Sequence, residues 1–416
     1  MLPIEKIMDN HGPSMAVVIQ ACRVFLRTAD QKDLEALIAS INPNWKEIAI
    51  LSKVHRIRPV VFRVLMESIT PTAIKEQLKK ELQLNTLQNF TIASETERLI
   101  DLLAKANISA IPYKGVAYSQ QFYGDISMRE SSDIDLVIDP NDLPKTFKIF
   151  EQDGYHVFNL KRYTSLGQQA YTDQEKDLCY DKITSGADNF HVELHYMITH
   201  PRFGAPKTIN QFDLSGTMRS VLNGGAAKFL LPAEHFRAIT LHHLLHDGLE
   251  YLKIFIDLAV GVNGLTRHVD LTTDHANSST KTIRTAMDIL DTTYRTNALF
   301  LALEQLFGVG TVLVKNRNKA EENLADKIVS FNLNTTTGRY KRHRVFSLLS
   351  HYKRSINNRA RLIRDNKQRR QFQKKYWINL FMPQQADEEA VPLPGFLTPF
   401  YFLIRPIRIL LRKKSD

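Results

Sequence analysis

The stretch that most constrains this chain is Asp133-Ile134-Asp135-Leu136-Val137-Ile138-Asp139, which closes the longer segment IPYKGVAYSQQFYGDISMRESSDIDLVIDP at residues 111–140. Its polar and apolar residues alternate, which predicts a β-strand with Ile134, Leu136 and Ile138 on one face and Asp133 and Asp135 on the other. Same-face neighbours on a strand lie roughly 6–7 Å apart, so two such carboxylates can close on one or two hard cations. Mg2+ takes oxygen ligands and keeps positions open for water and substrate phosphate. A half-exposed strand with an acidic outer face has the same spacing; the residues around it favour the cation site.

Upstream, the extended run Ile108–Pro112 meets Lys114-Gly115 and then a short predicted helix, 116–123. Gly115 lets backbone N–H groups approach an anion, and a helix start adds partial positive charge for phosphate. Arg129, between the two segments, has the fork geometry for a phosphate or carboxylate.

Lys114-Gly115, Tyr123-Gly124-Asp125, Arg129 and Asp133-Ile134-Asp135-Leu136-Val137 together resemble the signature of a largely uncharacterised nucleotidyltransferase family within the polymerase-β-like superfamily. Lys-Gly stands where the broad superfamily has Gly-Ser or Gly-Gly, and the interval to Asp133 is long; both are features of the subfamily it resembles. The resemblance implies an α+β fold, with a small mixed sheet and helices as core and helical regions on either side. It also implies a third metal-binding carboxylate on a neighbouring strand. In Asn189-Phe190-His191-Val192-Glu193-Leu194-His195-Tyr196, alternation turns Val192 and Leu194 inward and leaves His191, Glu193 and His195 on the opposite face, and Glu193 is the candidate. The implied activity moves a nucleoside monophosphate from a nucleoside triphosphate to an acceptor, with Asp133, Asp135 and Glu193 holding Mg2+, or alternatively Mn2+. Lys114, Gly115 and Arg129 would bind the phosphates. The acceptor is left open: a small molecule, peptide, protein or RNA end.

A chain of 416 residues with 43% hydrophobic and 24% charged residues can bury a large core and has the composition of a soluble protein. Cys22 and Cys179 are far apart and lack metal-site spacing, which argues against a disulfide framework or a cysteine zinc site. With no signal-peptide core and no apolar run near the roughly 18–20 residues of a spanning helix, the expectation is a cytoplasmic protein with no transmembrane segment.

Helical periodicity predicts helices over 15–26, 32–41, 45–55, 59–68, 73–84 and 89–106, then 142–153, 232–248, 249–262 and one or two within 280–307. Strands are predicted over 155–160, 178–183 and 190–197, with a turn at 184–188 and breaker-rich loops at 201–210 and 223–225. The expected division is an N-terminal helical region (1–95), a catalytic core (96–200), a helical region walling the cleft (201–338) and a basic, mostly helical C-terminal region (339–416).

His242 and His246 are one helical turn apart, as in some zinc sites, but H-E-x-x-H is absent, and histidines at a helix end are more often structural or polar-rim residues, which is the expectation for this pair. Asp257, inside an apolar helix, requires a cationic partner or a capping role. Of the net charge of +11, residues 339–416 carry +14 (nineteen Lys or Arg against five Asp or Glu), so the preceding 338 residues carry about −3. Such a tail suits an anionic partner such as RNA or a membrane surface, or forms a solvated helical face. This leaves two other readings of function: a nucleotide- or RNA-binding regulatory module without turnover, and a membrane- or partner-docking protein acting through the tail. The aromatic-Arg-Pro segment 396–411 is read as docking onto the protein body.

Overall fold

The computed structural model describes residues 1–158, 167–183, 189–267, 284–285, 287–334, 353, 355–381, 387, 390–394, 397 and 400–411. The chain begins with α1 (Ile4–His11), α2 (Pro13–Phe25), α3 (Gln31–Ile41), α4 (Trp45–Val54) and α5 (Arg58–Met66). α2 is buried along most of its length, and its sequence is apolar nearly all round, as a helix at the centre of a bundle requires. Asp30 and Asp33 form a reciprocal capping box at the start of α3, and the Asn44 side chain accepts from Glu47 N–H at the start of α4, so the sharp turns between helices leave few orphan donors.

The helices expected at 73–84 and 89–106 are one helix, α6 (Thr72–Lys105). Residues 85–88 contain neither Gly nor Pro, so nothing stops the backbone; what changes there is the packing partner. Leu78 belongs to the core around α2 and α5, whereas Ile92, Leu99 and Leu103 belong to a second core beneath the sheet. Leu84 and Leu87 between them are exposed, and that lapse in the apolar stripe looks like a helix end.

α6 leads into a five-stranded mixed sheet of order β1-β2-β5-β4-β3. Its strands are β1 (Ile111–Pro112), β2 (Ile134–Val137), β3 (His156–Val157), β4 (Asp177–Ile183) and β5 (Asn189–His195). β2 and β5 run parallel, and the other neighbours run antiparallel. α7 (Leu143–Gln152) buries Leu143, Thr146 and Phe150, and α8 (Gln168–Gln174) precedes β4. Of the strand expected at 155–160, residues 159–160 lie outside the described residues, as does the turn 184–188.

The region between the sheet and the later helices is not only loop. β6 (Thr217–Val221) and β7 (Ala226–Leu230) form a hairpin with Asn223-Gly224-Gly225 at its tip. A tertiary contact fastens that tip, because Glu97 Oε1 on α6 accepts from Asn223 N–H (2.7 Å) and Gly225 N–H (2.9 Å). α9 (Pro232–His242) then widens into a π-turn, His243–Asp247, and α10 (Leu252–Arg267) follows. Of the one or two helices expected within 280–307, residues 284–285 and 287–291 are helical, Tyr294 then leaves helical geometry to bridge Ile363, and α11 (Thr296–Phe307) follows. α12 (Lys319–Leu333), α13 (Asn366–Phe381) and α14 (Tyr401–Leu411) come next. The result is the expected α+β architecture, a small sheet embedded in helices.

The basic run 340–346 lies outside the described residues, but further along several arginines serve the protein's own structure. Arg359 donates to the carbonyls of Leu245 (2.7 Å) and His246 (2.6 Å). Arg405 meets Asp387 at 3.0 Å, and Arg408 bonds the same carboxylate. α14 packs on α13 and leaves Phe402, Leu403 and Ile407 exposed. Among the described residues no helix is long and apolar enough to cross a membrane.

Candidate active site

Parallel pairing of β2 with β5 puts Asp135 opposite Glu193 and Val137 opposite His195. Leu136 and Leu194 fill the core side, so the alternating carboxylates emerge together on the other face. That face is itself covered, and Asp135 is only 5% exposed. Isolated like charges there would be costly, and the surrounding cations offset that cost. Lys114 Nζ lies 3.0 Å from Asp135 and 3.9 Å from Glu193, and Lys176 Nζ lies 3.0 Å from Glu193. Burial opposes ionisation of Asp135, yet Lys114 and His195 outweigh it and hold its pKa at about 2. Burial also disfavours charge on Lys114, but Asp135, Glu193 and Asp133 keep its ammonium above the usual lysine range.

Lys114 reaches this point from a strained turn. Its φ is +51° and that of Gly115 is +36°, a region that residues with a Cβ rarely enter. The turn is held because Lys114 N–H donates to His235 Nε2 (3.2 Å), while His235 Nδ1 meets Gln121 Oε1 at 2.6 Å. With Nε2 accepting and Nδ1 donating, the ring is a neutral tautomer; burial, followed by Arg129, pulls its pKa to about 3. The helical segment after Gly115 is one α-turn, Gly115–Tyr118, followed by a π-turn, Ser119–Tyr123.

Asp135, Glu193 and His195 have ligand atoms within 4.8 Å of one another. His195 Nε2 lies 2.7 Å from Asp135 Oδ1 and 3.1 Å from Glu193 Oε2. Its buried Nδ1 makes no hydrogen bond, although Asp177 Oδ2 is 3.6 Å away. That donor set fits a divalent cation: ligation at Nε2 would move the ring proton to Nδ1, facing Asp177, the second-shell arrangement usual for metal-bound histidine. Asp133 faces the same cavity outside this triad. Burial, followed by repulsion from Asp135 and Glu193, raises its pKa, so the local field there calls for added positive charge.

Arg129 is committed to a protein partner. Its Nε lies 3.1 Å from both oxygens of Asp257, which is fully buried. Asp257 also accepts from Tyr123 Oη at 2.8 Å and lies 3.2 Å from His243 Nε2. Asp257 thus has the cationic partner its sequence context requires. His243 Nδ1 meets Asp247 at 2.6 Å, and the rings of His242 and His246 stack at 4.6 Å. His242, His246 and Asp247 form a second cluster whose ligand atoms converge.

These groups line one cavity of about 450 Å³ that includes Lys114, Arg129, Asp133, Asp135, Glu193, His242, His246 and Asp247. A neighbouring cavity of about 410 Å³, walled by Leu84, Leu87 and Phe190, shares Gln88, Ser132 and Asp133 with it. The sequence gives little warning of Lys176, which precedes β4. His195 has a signal, the alternation it shares with Glu193. Lys53, Arg56, Arg58 and Lys253 also line the first cavity, the first three from the N-terminal helices, where periodicity gives no hint of chemistry.

A mixed sheet carrying paired acids from parallel strands beside a lysine-glycine turn defines a nucleotidyltransferase core. The chain matches the family described as "uncharacterised nucleotidyltransferase" over residues 42–287 and belongs to it. No curated protein matches the chain.

Proposed function

We propose that the chain transfers a nucleoside monophosphate from a nucleoside triphosphate to an acceptor nucleophile. The acceptor oxygen, or a similar atom, attacks the α-phosphorus and loses its proton. The bond to the bridging oxygen of the β-phosphate breaks, and pyrophosphate leaves. The observation that carries this reading is the register pairing of Asp135 with Glu193, with His195 completing a converging donor set. Asp133, Asp135 and Glu193, supported by His195, would hold Mg2+ or Mn2+. Bound there, such an ion would supply neutralisation of the charge that develops as pyrophosphate departs.

Within the chain, Lys114 provides a buried positive charge beside the acids, and Gly115 keeps the backbone above them free of a side chain. Arg129 acts by fixing Asp257 and the His243 side of the cleft, with any phosphate contact secondary to that pairing. The test is pyrophosphate release with each of the four ribonucleoside triphosphates in Mg2+, comparing wild type with Asp133→Ala/Asp135→Ala. Release that vanishes in the variant supports transfer; equal rates in both proteins would remove these acids from the reaction.

A further inference from the structure

The cleft wall facing the acids is built by the turn between α4 and α5. α4 ends in a Schellman arrangement: Ile57 N–H donates to Ser52 O (2.9 Å) and Arg56 N–H to Lys53 O (3.1 Å). The residue at the left-handed position of this motif is usually glycine. Here it is Arg56, at φ +55°. The next helix of the cleft clamps the turn, because Leu252 N–H donates to His55 Nδ1 (3.1 Å) and Lys253 N–H to His55 O (3.1 Å). Arg56 and Lys253 therefore belong to one rigid corner.

The charge at this corner is unbalanced. Arg58 is taken up by Glu81 and Glu130 and Arg129 by Asp257. Among the described residues, no carboxylate ion-pairs with Lys53, Arg56 or Lys253, and Lys253 Nζ donates only to the Glu130 carbonyl at 3.0 Å. Lys53 and Arg56 are exposed and Lys253 is half-buried, all lining the cavity that contains Asp133 and Asp135. Burial, followed by Arg129, pulls Lys253 down to about 8, with Arg56 adding to the effect and Asp257 and, more weakly, Asp133 opposing it. Crowded cations next to a strained arginine are a standing cost, and an arriving polyanion would relieve it.

We propose that Arg56 and Lys253, with Lys53 at the rim, form the subsite for the β- and γ-phosphates of the substrate. This assignment rests on the transfer reading for its choice of a nucleoside triphosphate, and it brings the N-terminal helices into the binding site. Pyrophosphate leaves along this basic wall, while the reacting α-phosphate lies over the acids.

Inorganic tripolyphosphate is the probe, titrated calorimetrically into the full-length protein with and without Mg2+. Arg56→Gly removes the guanidinium while giving the left-handed position its preferred residue, so its thermal stability should match or exceed that of wild type. Its tripolyphosphate affinity should fall about tenfold or more, as should that of Lys253→Met, the range expected for a lost charge-assisted hydrogen bond. Arg56→Lys should retain most of the affinity. Wild-type affinity in Arg56→Gly, or no uptake of tripolyphosphate by wild type, overturns the subsite. Weakened binding in Arg56→Gly together with pyrophosphate release at equal rates in wild type and Asp133→Ala/Asp135→Ala supports the subsite and removes the acids of the transfer reading. Unchanged binding in Arg56→Gly with pyrophosphate release that depends on Asp135 does the reverse.

Discussion

Asp135 and Glu193 are direct register partners on the two parallel central strands, and the ammonium of Lys114 lies 3.0 Å from one and 3.9 Å from the other. Two acids side by side on buried strands make the sheet depend on positive charge. The arrangement separates stability from activity in a measurable way, because the lysine satisfies the fold and a divalent cation would serve the chemistry.

Asp135→Asn and Glu193→Gln keep shape while removing charge and turning one acceptor oxygen into a donor. Each should lower the rate of pyrophosphate release by at least about a hundredfold, since even groups that only support metal ligands are worth 10–100-fold. Asp135→Asn should also lower thermal stability, because it leaves the Lys114 ammonium buried beside a neutral amide. Kinetics and calorimetry on the same preparations check both halves. An Asp135→Asn enzyme within threefold of wild type, by a rough margin set against the expected effect, would remove Asp135 from the reaction.

Arg129 and Asp257 pair in the interior, with Asp257 fully buried and Arg129 7% exposed. Asp257→Ala leaves a buried guanidinium without its counter-charge and should cost about 3–5 kcal/mol in urea unfolding. Arg129→Met/Asp257→Leu, which removes both charges, should recover a large part of that loss. A double variant no more stable than Asp257→Ala would show that the unpaired charge is not the source of the cost.

How far the sequence reaches follows from the same residues. Period-two alternation in 133–139 and 189–196 is enough to put Asp135 and Glu193 on matching faces, because a strand offers only two faces. It cannot supply the pairing of Arg129 with Asp257, which are 128 positions apart; nothing local in either segment encodes that meeting. α6 shows the converse error, since a lapse in the apolar stripe at Leu84 and Leu87 reads as a helix end when it marks the passage between two cores. The β6–β7 hairpin is hidden because its tip is fastened by Glu97 from α6. Arg56 is hidden because a left-handed arginine cannot be told from a helical one by spacing.

Gly115 offers a prediction in which space and backbone disagree. A Cβ there would meet Asp133 O and Ser131 Oγ at 3.7 Å and Asp135 Oδ2 at 3.8 Å, ordinary contact distances. The barrier is the backbone, since φ is +36° and a left-handed residue with a Cβ costs about 1–2 kcal/mol. Gly115→Ala should therefore fold, with a Tm lowered by about 1–2 °C. Its activity should fall further than that loss implies, because the methyl group is set against the Asp135 carboxylate. Full activity with a lowered Tm would show that the glycine serves the turn alone.

His243 gives the pH dependence its sign. Burial opposes its charge, but hydrogen bonds to Asp247 and Asp257 outweigh it and raise its pKa above the usual imidazole value. A folded-state pKa raised above the unfolded one contributes stability that is fully present below about pH 6.5 and is lost as pH rises through the folded value. The neighbouring His242 and His246 are held neutral by burial and act in the opposite direction, but they are common to wild type and His243→Gln and largely cancel in the difference. Asp257, held at about 2 chiefly by Arg129 against its burial, contributes stability above about pH 4 that is lost as pH falls through its folded value. Between pH 5 and 9 its contribution is therefore constant. The stability gap between wild type and His243→Gln, read from urea midpoints, should be widest near pH 5–6 and narrow towards pH 9. A gap that stays level across that range would mean that His243 is neutral in the folded protein, leaving Arg129 as the charged group ion-paired with Asp257 among the described residues.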